Sequence, residues 1–179
     1  ATIQTAANYI SSQFTGYAGN SVDVRINNSQ TDGSGFLASA GPFFFTGPNG
    51  FYNGFVYDHA TTGMDPSGSV PDATATFDFG YNWNSGTGNP SGGQFDLQTV
   101  ALHEFTHAIG FLSLVESDGT SGISGSDPGV FSDYDSFLER GDGTPLFGAG
   151  GDYLGTAADL TSNDVFFDGP NARAANGGN

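Results

Sequence analysis

Cysteine is absent from the chain. That excludes disulfides, thiolate metal sites and cysteine nucleophiles together. Lysine is absent too, so Arg25, Arg140 and Arg173 carry the only fixed positive side-chain charge, against 19 acidic residues. A net charge of −16 argues against nucleic acid and anionic membrane surfaces as partners. It suits a solvated surface in a salty or calcium-containing medium. No run of about 18 apolar residues occurs, so nothing reads as a membrane span. The chain shows no signal peptide and starts at Ala1 rather than Met, which reads as a processed or excised piece of a secreted, extracellular protein.

What is present is aromatic and glycine-rich. Seventeen phenylalanines and seven tyrosines supply apolar surface, and 29 glycines imply many turns. A length of 179 residues is enough for one domain with a real core, and no linker splits it, so residues 1–179 read as a single α+β domain.

Periodicity places the elements. Ile3, Ala6, Ala7, Ile10 and Phe14 recur at helical spacing over residues 2–14, with Gly16 and Gly19 ending the helix. Val22, Val24 and Ile26 alternate as a half-buried strand, and 27–35 reads as a loop. Phe43–Phe45 and Phe51–Tyr57 read as short strands, with His59 in a loop beside Asp58. Ala73 to Trp83 alternates over eleven residues and predicts the longest strand. Beyond residue 129, Val130, Phe131, Tyr134, Phe137 and Leu138 fit helical spacing. Asp142-Gly143 alternatively closes a hairpin between Phe137-Leu138 and Leu146-Phe147. A short helix is expected over 156–160 and a short strand over 165–167.

The chemistry is concentrated in Leu97 to Ser113, LQTVALHEFTHAIGFLS. Asp96 is a good N-cap, and Leu97, Val100, Ala101, Leu102, Phe105, Ala108 and Ile109 make the helix apolar nearly all round. Such a helix is expected to be buried, and burying His103, Glu104 and His107 without a partner would be expensive. His103 and His107 lie one turn apart on one face, with Glu104 offset to the side. This H-E-x-x-H pattern is the zinc-protease arrangement, with two imidazole ligands and a glutamate that acts as general base and then acid. It points to Zn2+ as cofactor and to a protein or peptide as substrate.

A catalytic zinc normally has three protein ligands. In the longer pattern H-E-x-x-H-x-x-G-x-x-H, Gly110 matches, but Ser113 stands at the third ligand position. Glu116, Asp118, Asp133, Asp135 and His59 are the alternatives within the chain. Asp127, Asp133 and Asp135 suggest calcium only weakly, because no D-x-[DN]-x-[DN]-G loop accompanies them.

HEFTHAIGF, preceded by FDLQTVAL, resembles the active-site helix of bacterial secreted zinc metalloproteases of the metzincin-like, leishmanolysin-like kind. DATATFDFGYNW resembles their cleft-edge strand, which binds substrate backbone by strand addition, and VFFDGPNARAANGG resembles segments that follow their active site. The resemblance implies a zincin-like domain: a twisted mixed sheet, a backing helix, a central active-site helix and glycine-rich loops. It also implies a third histidine and a methionine turn far downstream. No histidine follows His107 and no methionine follows Met64, so the implied expectation is a chain that ends before the third ligand, with a carboxylate ligand as the alternative. The competing functional reading is a non-catalytic extracellular module that keeps a degenerate structural zinc site.

Overall fold

The N-terminal apolar spacing does form a helix, and the eleven-residue alternation does not form one strand. The computed structural model describes residues 2–14, 20–28, 30–45, 47–123 and 129–177, so Gly16, Gly19 and Asp127 lie outside the described residues. In chain order the elements are α1 (Thr2–Gln13), β1 (Val24–Asn27), β2 (Ala38–Pro42), β3 (Gly50–Tyr52), α2 (Phe55–Thr62), β4 (Ala73–Phe77), β5 (Trp83–Asn84), β6 (Phe95–Asp96), α3 (Leu97–Ala108), β7 (Val130–Ser132), a 3₁₀ turn (Asp135–Phe137), β8 (Leu138–Arg140), α4 (Ala157–Leu160), β9 (Val165–Phe167) and α5 (Pro170–Ala175). The architecture is mixed α+β. No helix among the described residues is long and apolar enough to cross a membrane. The chain divides into two compact units, Ala1–Phe43 with Gly54–Phe111, and Phe44–Asn53 with Leu112–Asn179.

The first unit is a three-stranded mixed sheet, β1-β4-β2, with β1 parallel and β2 antiparallel to β4. Ala73, Ala75 and Phe77 of β4 face α3, and Ala101, Phe105 and Ala108 of α3 answer them. Ala6, Ala73, Ala75, Ala101 and Ala108 are fully buried. Small side chains here let α3 lie close to the sheet and to α1, which fixes the helix carrying the motif. β2 occupies Ala38–Pro42 rather than the expected Phe43–Phe45, because Ala38 and Ala40 fit beneath α3 while Phe43 and Phe45 stay exposed. Its proline sits on an edge strand, where the sheet tolerates one.

β4 ends at Phe77 because Asp78 turns inward. Asp78 is buried, and its carboxylate accepts from the Gly33 and Gly80 amides at 2.9 and 2.7 Å. Those bonds bend the chain, and Trp83 then joins a separate pair, β5 with β6. Phe79, Tyr81 and Trp83 therefore do not extend the β4 face. The expected Phe51–Tyr57 strand is split between β3 and α2. Gly54 caps α2: its carbonyl accepts from the Tyr57 and Asp58 amides at 3.0 and 3.2 Å, which starts the helix inside the expected strand, and Gly63 closes it with φ of +73°.

In the second unit, Phe131, Leu138, Leu146 and Phe147 form a separate core. Val130–Ser132 is a strand, paired in parallel with β3, and not the start of a helix. The helical spacing of Val130, Phe131, Tyr134, Phe137 and Leu138 is overridden because the backbone of Val130–Ser132 finds a strand partner in Gly50–Tyr52, a pairing that local periodicity does not show. The Asp142-Gly143 hairpin forms: Gly143 N–H donates to the Arg140 carbonyl, and Leu146 N–H donates to the Leu138 carbonyl at 2.8 Å. A short helix, α4, capped by Thr156, and a short strand, β9, form where the local sequence predicts them, and β9 pairs with β8.

Candidate functional site

α3 begins where the sequence predicts. The Asp96 side chain accepts from the Thr99 amide at 2.6 Å, and the carboxylate also suits the positive end of the helix. The buried stripe is Leu97, Ala101, Glu104, Phe105 and Ala108. His103 is exposed and His107 half-buried, so the cost of burying unpaired polar groups falls on Glu104 alone and not on the three residues together. The helix is apolar on the side packed into the unit and open along the line of the two imidazoles.

The Nε2 atoms of His103 and His107 are 3.0 Å apart, with the rings edge-on at 87°. Two nitrogens on one tetrahedral zinc, each at about 2.0–2.1 Å, stand roughly 3.3 Å apart. The pair therefore fits a shared metal with a few tenths of an ångström of adjustment. His107 Nδ1 lies 2.9 Å from the Phe111 carbonyl oxygen, a partner that only accepts. Nδ1 therefore carries the proton and Nε2 the lone pair, the tautomer a metal ligand needs. Gly110 has φ of +106°, and this turn sends Phe111 back over the end of the helix.

Glu104 is 5% exposed, and its Oε2 is buried with no hydrogen-bond partner among the described residues. Burial pushes the Glu104 carboxyl above the usual carboxylate range, and the neighbouring His103 and His107 pull it partly back. A buried, unpaired carboxylate oxygen beside two converging imidazoles is suited to taking up a proton. A cavity of about 630 Å³ in this unit, lined in part by Ile3, Val24, Val56, Phe105 and Ala108, includes none of the three motif residues.

Of the third-ligand candidates, His59 belongs to the first unit. His59 is on α2, not in a loop, and its Nδ1 is 2.9 Å from Asp72 Oδ2. Among the described residues of the first unit, no third His, Asp or Glu completes a ligand group with His103 and His107. The other candidates belong to the second unit. Asp118 accepts from Thr120 N–H and Oγ1–H, and Glu116 is exposed in the same turn. Asp133 is exposed, and its backbone carbonyl accepts from Ser136. Asp135 is fully buried: its Oδ2 accepts from Leu114 N–H, Ser132 N–H and Ser132 Oγ–H, each at 3.0 Å, while Oδ1 has no hydrogen-bond partner among the described residues. The Ser113 hydroxyl oxygen accepts from the Val115 amide.

The expected cleft-edge role of DATATFDFGYNW does not hold. β4 is the central strand, paired on both sides, so it has no free edge for a substrate backbone. The sequence reading also missed Asp65 and Asp72 as neighbours of His59, because no short motif links the three. No protein-family description, curated protein or solved structure matches the chain.

Proposed function

We propose that the chain carries the metal-binding and proton-transfer part of a secreted, zincin-like, zinc-dependent endopeptidase acting on a protein or peptide substrate. The observation that carries this reading is the convergence of His103 and His107 Nε2 at 3.0 Å on the helix that also holds the buried, unpaired Oε2 of Glu104. Zinc held there supplies a Lewis acid that lowers the pKa of water toward neutrality and polarises a peptide carbonyl. His107 presents its Nε2 lone pair because the Phe111 carbonyl holds the proton on Nδ1. Glu104 accepts a proton from water in the site and delivers it to the leaving nitrogen, and its raised pKa brings it nearer to what that exchange requires. The outer edge of β2, the edge strand packed against α3, offers backbone groups for an extended substrate, which β4 cannot.

Peptide hydrolysis by the complete protein tests the proposal. Activity should be lost to a chelator and restored by zinc. Glu104→Gln should lower kcat by on the order of 10²–10⁴-fold, the range for a general base, with zinc binding retained. Full activity of Glu104→Gln would sink the mechanism. The lack of a third donor among the described residues of the first unit favours one alternative, a non-catalytic module with a degenerate zinc site. Under that reading chelation lowers the melting temperature of a protein that never hydrolyses peptide.

A further inference from the structure

His59, Asp65 and Asp72 bring three potential ligand atoms within 4.8 Å of one another, all in the first unit. They come from α2, from the turn after it and from the residue that leads into β4. Asp72 is the buried member, 1% exposed. Its Oδ2 accepts from Asp23 N–H at 2.9 Å and meets His59 Nδ1 at the same distance.

Two features of this spot call for a positive charge. The first is the buried carboxylate itself. Arg140 pairs with Asp159 and Arg173 with Asp168, the chain has no lysine, and the ion-pair partner of Asp72 among the described residues is His59. A buried carboxylate without a cation costs several kcal/mol by general solvation arguments, roughly the effective penalty for an ion in a protein interior. The second feature is a surplus of acceptors. The Ser67 hydroxyl stands within hydrogen-bond distance of Asp65 Oδ1 at 2.8 Å, the Val70 carbonyl at 2.7 Å and Asp72 Oδ1 at 3.0 Å. One hydroxyl proton serves only one of these three oxygens. Asp65 Oδ1 also accepts from the Ser67 and Gly68 amides at 2.9 and 2.7 Å, so the Ser67 proton is left to the Val70 carbonyl and Asp72 Oδ1 and can serve only one of them. An acceptor short of a proton beside a buried carboxylate and an imidazole is an environment that suits a cation.

We propose that His59, Asp65 and Asp72 bind a divalent transition ion, zinc, at a second site separate from the H-E-x-x-H helix. One imidazole with two carboxylates suits zinc better than calcium, which favours an all-oxygen shell. The ion replaces the proton shared by His59 and Asp72, neutralises the buried carboxylate, and ties α2 and the Asp65–Val70 turn to the start of β4. This is a structural site: it holds the sheet and helices of the first unit together and takes no part in hydrolysis.

The double variant His103→Ala, His107→Ala isolates the site, because the chain has three histidines and His59 is then the only imidazole. Zinc titrated into this variant should shift the single imidazole signal in a nitrogen-correlated NMR spectrum and saturate at one equivalent. Asp65 is exposed, so Asp65→Asn should fold, and in the same background it should weaken that binding by at least about tenfold. In the unaltered chain, metal analysis should find two equivalents of zinc, falling to one in either the histidine double variant or His59→Ala with Asp65→Asn. An imidazole signal of His59 that does not move with zinc, binding indifferent to Asp65→Asn, or a response to calcium alone would each overturn the proposal.

Discussion

His107 is held from behind: its Nδ1 donates to the Phe111 carbonyl oxygen 2.9 Å away, and its Nε2 faces His103 Nε2 at 3.0 Å. The Phe111 contact depends on the turn at Gly110, whose φ of +106° is costly for any residue with a Cβ. Gly110→Ala should displace the Phe111 carbonyl, release the His107 tautomer and weaken zinc binding at the motif. Loss of an outer-shell partner of a metal-bound histidine costs about 10–100-fold in affinity, and the same range is expected here. The His107 imidazole signal read against added zinc checks it. Unchanged affinity with a changed tautomer would show that the Phe111 contact is incidental.

Glu104 gives a pH signature in the metal-free chain. Burial raises its carboxyl pKa, with His103 and His107 opposing. A raised folded-state pKa means that the folded chain binds the proton more tightly. The corresponding stability is fully present below the unfolded value, about 4.3, and is lost as pH rises through the folded value. Glu104→Gln does not titrate. With chelator present, the variant should match the parent near pH 4 and melt higher than the parent at pH 7. A melting difference that stays constant across this range would remove the desolvated-carboxylate account.

The motif helix was legible because its determinants are local: an Asp96 cap, an apolar run and two histidines four apart. The hairpin at Asp142-Gly143 and the short helix at 156–160 were legible for the same reason. Pairing was not. Nothing in DATATFDFGYNW shows that Asp78 will turn inward to bond Gly33, which is 45 residues away. Nothing near His59 shows that its partner is Asp72, because that contact depends on a helix end, a turn and a strand start. The alternation over Ala73 to Phe77 was real, and the extension to Trp83 failed because one polar side chain found a tertiary partner stronger than the local pattern.

Asp78 makes that failure testable through Gly80. A Cβ at Gly80 would collide with the Thr31 carbonyl and the Gly33 amide, both of them backbone that cannot swing aside. Gly80→Ala should therefore destabilise the protein by about 1–3 kcal/mol, the range for overpacking. Gly88→Ala, in the same unit with open space around the site, should cost far less. Chemical denaturation of the two variants gives the comparison. Equal stabilities would mean that the 30–35 loop moves freely with respect to β4.

Phe131 probes the second unit. It is 1% exposed and packs its ring 4.8 Å from Phe147 and 6.4 Å from Phe51, centroid to centroid. Phe131→Ala should cost about 3–5 kcal/mol, the usual range for a buried phenylalanine. Hydrogen exchange should show the loss of protection at the Leu138 to Leu146 hairpin amides. A destabilisation below about 1 kcal/mol would mean that the site collapses around the missing ring.

Arg140 and Asp159 set the acid limit of the same unit. Arg140 donates through Nε at 2.8 Å and Nη2 at 3.0 Å to the two carboxylate oxygens of Asp159. Asp159 Oδ2 also accepts from Thr156 N–H and Oγ1–H at the start of α4. The Arg140 guanidinium, followed by the Thr156 donors, holds the Asp159 carboxyl well below the usual carboxylate range. With a depressed folded-state pKa, the stabilisation is present above the unfolded value of about 3.9 and disappears as pH falls toward the folded value. Asp159→Asn should therefore melt lower than the parent at pH 7, and the gap should close progressively below about pH 4. The effect should be screened by salt, because the pair is partly solvated. Thermal melts of parent and variant from pH 7 down to pH 2, at low and high salt, decide it. A gap as large at pH 2 as at pH 7 would assign the loss to the α4 cap at Thr156 rather than to the ion pair.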